Sequence, residues 1–123
     1  MITTIFILLF VYQIKHLLCD YFFQGRYMLG KFKEEGWELP LTAHAATHLL
    51  GTFLIAVCVG ASLPVVIAVA LLDFGIHFIV DKIKVEASRS TDHSKPEFWW
   101  YLGIDQMAHH LTHYVIIAIL VLL

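Results

Sequence analysis

The sequence predicts an all-α integral membrane protein, a bundle of four transmembrane helices forming one domain over residues 1–123. Hydrophobic residues make up 59% of the chain and charged residues only 15%, and the mean hydropathy is +0.77. This composition is too apolar for an ordinary soluble domain. Two further observations support the prediction: the apolar residues fall into four long windows, and the basic residues lie at only one end of those windows.

The four apolar windows are each long enough to cross a bilayer. A span needs roughly 20 mostly apolar residues to cross a hydrocarbon core of ~30 Å. The windows cover residues 3–23, 40–60, 64–82 and 98–122. Gly60 and Pro64 separate the second window from the third, which predicts a tight helical hairpin. The polar stretches Gly25 to Glu38 and Lys82 to Glu97 are predicted to be loops.

The basic residues predict how the bundle is oriented. All eight Lys and Arg residues lie around the first and third connections, and none lies near the hairpin turn or the termini. Positive charge in short loops marks the cytoplasmic side. We therefore expect an inner-membrane protein surrounded by lipid, with both long loops in the cytoplasm and both termini outside. The aromatic residues expected to anchor that interface are Trp37, Trp99, Trp100 and Tyr101.

Two classes of protein are disfavoured by the sequence. The basic residues form no dense run, so nucleic acid is not an expected partner. Cys19 and Cys58 lie in apolar segments without a Cys-x-x-Cys spacing, which gives no support to a disulfide framework or a zinc knuckle. Both are predicted to be buried free thiols.

Each predicted helix carries ionisable residues, which cost roughly 2.5–3.5 kcal/mol each on insertion and by default mark a functional site. Within a helix they recur at every fourth position, so each set forms one stripe. The stripes lie at the end of the first and third windows and at the start of the second and fourth. In an up-down bundle these places share one leaflet, so we expect a single cluster. Its members are His16, Asp20, His44, His48, Asp73, His77, Asp81, Asp105, His109 and His113.

Imidazole and carboxylate side chains together suit Zn, Fe, Mn or Ni. The predicted metal ligands are His44, His48, Asp73, His77, Asp81, Asp105 and His109. They are enough for one ion with aspartates orienting the imidazoles, or for two ions about 3.5–4 Å apart bridged by carboxylates. The predicted catalytic residues are His16, Asp20 and His113. His16 or His113 would act as general acid or base, and Asp20 could also complete or bridge the centre.

Basic residues near the cluster have two interpretations. Lys15 either extends to the cytoplasmic headgroups or binds an anionic group of a substrate at the site. Lys82 and Lys84 have the same two interpretations. Together with Arg26, Lys31 and Lys33 they would form a basic rim that attracts phosphate or anionic lipid.

The pattern favours a metal-dependent hydrolase that acts on a lipid-linked or phosphorylated substrate. A metal or proton transporter or sensor is one alternative, because Asp and His chains also serve as relays. Apolar residues such as Val57, Val66 and Ile117 fill the outer half, which favours a site open to one side only. Another alternative is a structural subunit in which the polar groups only join helices. The small lateral surface is compatible with homo-oligomerisation.

The order of the polar motifs resembles the domain-of-unknown-function family 3307. The matching motifs, which run through nearly the whole chain, are Lys15-His16-x3-Asp20-x3-Gln24, Met28, Lys31, His44-x3-His48, Asp73-x3-His77-Phe78-x2-Asp81-x2-Lys84 and Asp105-Gln106-x2-His109. The resemblance implies a small integral membrane protein from bacteria or their phages. It implies no particular reaction.

Two looser similarities concern only the placement of polar residues. Membrane-bound metal-dependent hydrolases also place His and Asp near one membrane face. His44-x3-His48 with His109-His110-x2-His113 is similar to the histidine boxes of membrane di-iron desaturases and hydroxylases. The chain departs from those oxidative enzymes because they are longer, carry more histidine boxes and use fewer aspartates.

Overall fold

Four α-helices make up most of the chain, and no residue lies in a β-strand. The computed structural model describes residues 1–123. The helices are α1 (Ile2–Leu17), α2 (Glu38–Cys58), α3 (Leu63–Ser88) and α4 (Pro96–Leu122). A π-helical turn, Leu18–Phe22, continues α1, and a short 3₁₀ helix, Met28–Phe32, lies before α2. The all-α prediction is therefore confirmed.

Three of the helices are long and apolar enough to cross a membrane. They are α1 with its π turn (Ile2–Phe22), α2 and α3. At 27 residues α4 is long enough, but an aspartate and three histidines in its first two thirds lower its apolar character. Three of the four predicted windows therefore form helices that could span a membrane, and the fourth span and the placement of the termini stay predictions.

The helices alternate in direction, so the chain ends of α1 and α3 meet the starts of α2 and α4 at one end of the bundle. We call this the loop end, because the connections 23–37 and 89–95 lie there. Packing is most extensive between α2 and α3, followed by α3 with α4 and α4 with α1, and it is weaker between α1 and α2.

The interior and the surface of the bundle have the reverse of their usual chemistry. Twelve of the 26 buried residues are polar or charged, although charged side chains are almost never buried in soluble proteins unless they are paired. Large apolar side chains cover the outside: Phe6, Phe10, Leu54 and Leu71 are each more than half exposed. An apolar surface of this extent suits hydrocarbon better than water.

The end of the bundle opposite the loops has an apolar core. Its buried members are Leu8, Tyr12, Ala56, Val66, Val69, Ile116 and Ile117. At this end of the bundle, the part of α1 before Tyr12 and the part of α2 after Thr52 bury no charged residue. The buried polar groups are thus confined to the loop end.

The connection between α2 and α3 is the tight hairpin that the sequence predicts. Gly60 has a φ of 76°, a conformation that costs glycine little and other residues more. Pro64 follows in the first turn of α3, where a proline removes no helical hydrogen bond.

Helix α3 runs further than its predicted window. It continues to Ser88, so the prediction of a loop is wrong for residues 82–88. Val85 is buried one turn beyond Asp81, on the same helix face. On the exposed face Lys82 Nζ lies 2.6 Å from Glu86 Oε1, a pairing one turn apart that favours helix.

The two cysteines have different surroundings. Cys19 is a buried free thiol, as predicted, whereas Cys58 is free but exposed. The burial prediction is wrong for Cys58, which is the last residue of α2 and lies between two other exposed residues, Val57 and Val59.

Candidate metal centre

The polar residues predicted from all four helices meet at the loop end. All six histidines of the predicted cluster are buried, as are three of the four aspartates, while the side chain of Asp20 is 15% exposed. The buried members are His16, His44, His48, Asp73, His77, Asp81, Asp105, His109 and His113. The structure therefore brings these side chains together in one continuous cluster, and their individual roles stay predictions.

A π-helical turn places Asp20 in the cluster. The amide of Phe23 donates to the carbonyl of Leu18 at 2.7 Å, the i to i+5 hydrogen bond of a π-helix. Such a turn inserts an extra residue into the helix and often marks a functional site. On the same turn Cys19 is buried, and its thiol approaches the carbonyl oxygen of Thr47 at 3.6 Å. The turn thus seats this end of α1 against α2.

The carboxylate of Asp20 lies among four imidazole rings. Its Oδ1 atom is 2.8 Å from Nε2 of His48, 3.4 Å from Nε2 of His44 and 3.7 Å from Nε2 of His77. Its Oδ2 atom is 3.1 Å from Nε2 of His16. At Oδ1 only the His48 contact has hydrogen-bond geometry, and the buried Nε2 of His77 has no hydrogen-bond partner. Three imidazole nitrogens therefore lie near Oδ1 of Asp20, but this oxygen forms a hydrogen bond with only one of them.

These separations fit the coordination sphere of a divalent ion. Two ligand atoms each ~2.0–2.2 Å from a tetrahedral ion are about 3.4 Å apart. Ligand atoms of His16, Asp20, His48 and His77 all lie within 4.8 Å of one another. We call these residues the Asp20 group. A set of buried imidazoles and one carboxylate could hold a transition metal.

Asp73 lies behind His77 as seen from Asp20. Its Oδ1 atom is 3.4 Å from Nδ1 of His77, and its Oδ2 atom accepts hydrogen bonds from Lys15 and Thr52. A carboxylate at Nδ1 keeps the proton on that nitrogen, which leaves the Nε2 lone pair free for a metal. The structure therefore places Asp73 where it orients His77, and its predicted role as a direct ligand stays untested.

Lys15 is buried inside the bundle, so of its two interpretations the extension to the headgroups is wrong. Its Nζ atom lies 2.5 Å from Oδ2 of Asp73 and 3.1 Å from Nδ1 of His48. Gly51 makes room for the lysine stem, because a Cβ there would lie 2.9 Å from Cγ of Lys15. Lys15 is itself an ionisable residue in an apolar segment, and such residues by default mark a functional site. The sequence could therefore have indicated that Lys15 is part of the cluster.

A second group of ligand atoms lies beside the first. Those of Asp81, Asp105 and His109 are within 4.8 Å of one another, and we call these residues the Asp81 group. Nε2 of His109 is 3.5 Å from Oδ1 of Asp81 and 3.2 Å from Oδ1 of Asp105. Nε2 of His44 is 3.4 Å from Asp20 and 3.3 Å from Asp81, so this ring lies between the two groups. The arrangement suits either one ion or two.

The remaining predicted catalytic histidines lie at different distances from Asp20. His16 belongs to the Asp20 group, and its Nε2 is also 2.8 Å from Oε1 of Gln106. His113 lies behind His16, with ring centroids 5.5 Å apart, and neither of its ring nitrogens has a hydrogen-bond partner. The His113 ring packs 5.0 Å from that of Tyr12, at the edge of the apolar core. The structure thus places His16 at the centre and His113 one layer behind it.

Two lysines from the predicted basic rim reach the centre. Lys31 is buried, and its Nζ lies 2.7 Å from Oδ2 of Asp81 and 2.7 Å from Oε1 of Gln24. Nζ of Lys84 is 3.7 Å from Oδ2 of Asp105. Sequence reasoning put Lys31 on the rim because nothing in the local pattern shows that the 3₁₀ helix folds back over the bundle.

These features describe a small all-helical protein with membrane-type helices and a buried His/Asp cluster that could hold a metal ion. Residues 5–123 match the family described as "Protein of unknown function (DUF3307)". The chain belongs to this family, as its motifs predicted. No curated protein and no solved structure matches the chain, so the looser similarity to hydrolases has no support from these comparisons.

Proposed function

We propose that the chain is a metal-dependent hydrolase of the inner membrane, acting on a lipid-linked or phosphorylated substrate from the cytoplasmic side. The observation that carries the proposal is the convergence of three imidazole nitrogens on one oxygen of Asp20. In a network that only joins helices, most buried donors and acceptors would have a partner. Nε2 of His77 has none, and a metal ion is the partner that its free lone pair suits.

The proposed centre uses the two groups differently. In the Asp20 group, His48, His77 and Asp20 would hold one ion as three protein ligands, which leaves a fourth position for water and keeps His16 free as a general acid or base. The Asp81 group supplies two carboxylates and one imidazole, which suits a second ion or a set of partners that orient the first set. His44 faces an aspartate of each group and is the natural link between them.

The proposed reaction is hydrolysis of an ester. A divalent ion in such a site supplies Lewis acidity and an activated water. The water oxygen bonds to the phosphorus or carbonyl carbon, the bond to the leaving oxygen breaks, and a water proton ends on that leaving oxygen. The products are an acid and an alcohol. His16 lies 3.1 Å from Asp20 and is the histidine best placed to carry the proton.

The proposed membrane topology has four spans, with α4 as the fourth. Its polar residues Asp105, His109 and His113 are all buried against the other helices. The face that they leave outward is apolar, including Ile104 and Leu111. The basic residues at the loop end support a cytoplasmic location for that end, with both termini outside.

Transport is less well supported than hydrolysis. A route across the membrane would have to continue from the centre through the end opposite the loops. The buried residues there are apolar, and a charge or proton would find no buried ionisable group along them. The site is therefore proposed to open on one side only.

Metal analysis of the purified full chain in neutral detergent tests the centre. We expect one or two equivalents of a transition metal, and at least a tenfold loss of affinity in His77→Ala and Asp20→Asn. His93→Ala is the matched control, because His93 lies in the exposed loop before α4 and should leave the metal content unchanged. A metal-free protein, or one whose content ignores these substitutions, would overturn the proposal.

Activity is tested by release of inorganic phosphate from a soluble phosphate monoester and from a phosphorylated lipid in mixed micelles. Release should require the metal and should be lost in His77→Ala. Metal-dependent flux in proteoliposomes without hydrolysis would favour a transporter. Bound metal with neither flux nor hydrolysis would favour a structural site.

A further inference from the structure

A polar cavity opens directly onto the two groups at the loop end. It has a volume of about 160 Å³ and lies among the ends of α1 and α3, the starts of α2 and α4, and the 3₁₀ helix. Asp20, His44 and Asp81 form its inner wall, and Lys31 and Lys84 line its sides. A substrate that enters through this cavity would lie beside these two lysines.

Local structure fixes Lys31 in the cavity wall. The guanidinium of Arg89 donates to the carbonyl oxygens of Phe32 at 2.9 Å and Lys33 at 3.0 Å, which ties the 3₁₀ helix to the end of α3. Gly30 packs so closely on the start of α2 that a Cβ there would lie 2.8 Å from Cγ of Pro40. Lys31 is therefore a built part of the site and not a mobile surface charge.

The donors of both lysines are incompletely used. An ammonium group has three N–H donors. Lys31 directs two of them to Asp81 and Gln24. The only ion-pair contact of Lys84 is with Asp105 at 3.7 Å, which is too long for a hydrogen bond. Each lysine can thus bond an additional acceptor in the cavity.

The charge of the cavity depends on the metal. The two ammonium groups and the carboxylates of Asp20 and Asp81 cancel one another formally. A divalent ion in the centre would leave a net positive charge, because a bound cation is often the largest local charge in a site. A compact dianion such as a phosphate monoester would complement that charge and could accept from both lysines at once.

We propose that this cavity binds the phosphate group of a phosphate monoester through Lys31 and Lys84, and that it does so only when the centre holds its metal. The inference rests on the proposed metal centre and specifies the substrate class of that site. An apolar cleft between α3 and α4, of about 210 Å³, shares Lys84 with the cavity. A lipid with a terminal phosphate could lie along that cleft, whereas a soluble monoester would use the cavity alone.

The test measures binding of inorganic phosphate to the full chain in neutral detergent by equilibrium dialysis, with metal content determined on the same samples. We expect one equivalent of phosphate in the metal-loaded protein and none after chelation. Lys84→Met and Lys31→Met should each weaken binding by about 10- to 100-fold, the effect of one charge-assisted hydrogen bond. Lys82→Met is the matched control, since its side chain is 22% exposed against 19% for Lys84 and it pairs with Glu86 outside the cavity.

The outcomes separate this inference from the proposed function. The phosphate site would be refuted if the metal-loaded protein bound no phosphate, or if Lys82→Met and Lys84→Met weakened phosphate binding equally. Either result would leave the proposed metal centre unaffected. Absence of metal would overturn both. Lys84→Met keeps the test decisive if Lys31→Met fails to fold, because Lys84 makes no short contact.

Competition then distinguishes the source of the phosphate. Phosphatidic acid in mixed micelles and phenyl phosphate in solution would each displace inorganic phosphate if they share the site. At least tenfold better competition by phosphatidic acid would indicate a lipid headgroup, and equal competition a soluble substrate. Failure of both to compete would refute the assignment to phosphate monoesters.

Discussion

The ion pair of Lys15 and Asp73 gives the most informative test of how the centre is supported. The two side chains are 5% and 0% exposed, and their charged atoms lie 2.5 Å apart. Lys15→Met removes the positive charge and keeps an unbranched stem, which leaves Asp73 ionised and buried. Asp73→Asn removes the negative charge with little change of shape, which leaves the lysine ammonium without its carboxylate.

The expected magnitudes follow from the burial of both groups. Removing one partner of a buried pair costs about 3–5 kcal/mol, because an uncompensated charge stays in the interior. Removing both charges together is often close to neutral. We therefore expect each single variant to lose about 3–5 kcal/mol of unfolding free energy and the double variant to lose less than either.

The metal affinity should behave differently from the stability. In the double variant the neutral amide introduced by Asp73→Asn would no longer hold Nδ1 of His77 as a carboxylate does, and losing such a partner typically costs about 10- to 100-fold in metal affinity. The double variant should thus be stable but bind metal weakly. This result would separate the structural contribution of the pair from its support of the centre.

The assay is unfolding by increasing mole fractions of SDS in neutral-detergent micelles, followed by circular dichroism, with metal affinity measured by chelator competition. The control is the exposed pair Lys82 and Glu86, also in contact at 2.6 Å, whose coupling should be only about 0.2–1 kcal/mol. Additive costs for Lys15→Met and Asp73→Asn would show that the pair is not coupled. Unchanged metal affinity in the double variant would refute the role assigned to Asp73.

Two further substitutions test the packing around this pair. Gly51→Ala places a methyl group 2.9 Å from Cγ of Lys15 and should cost about 1–3 kcal/mol of unfolding free energy in the same assay. Its control is Gly75→Ala, whose methyl group meets no atom within 4 Å and should be neutral or slightly stabilising. Equal effects of the two substitutions would contradict the close packing at Gly51. Tyr12→Phe removes the hydrogen bond that Tyr12 donates to Thr52 at 3.2 Å and should cost about 0.5–1.5 kcal/mol, and a stabilised variant would show that this bond contributes nothing.

The positions of the helices and the depth of the polar groups could be predicted from the amino-acid sequence alone. Apolar windows long enough for a membrane follow from composition, and spacing of four residues puts His44 and His48 on one helix face whatever the rest of the chain does. The same spacing in the other helices was enough to predict one cluster at one end. These are one-dimensional properties, fixed by the period of a helix and by the order of the segments.

Which atoms meet depends on tertiary packing and could not be predicted in the same way. Contact between helices depends on their rotation and relative height, which packing and loops set and no single segment encodes. The π turn that places Asp20 beside Nε2 of His48, and the fold of the 3₁₀ helix that buries Lys31, are therefore visible only in three dimensions. Lys15 is buried for the same reason, because its partner Asp73 comes from a helix that is distant in sequence.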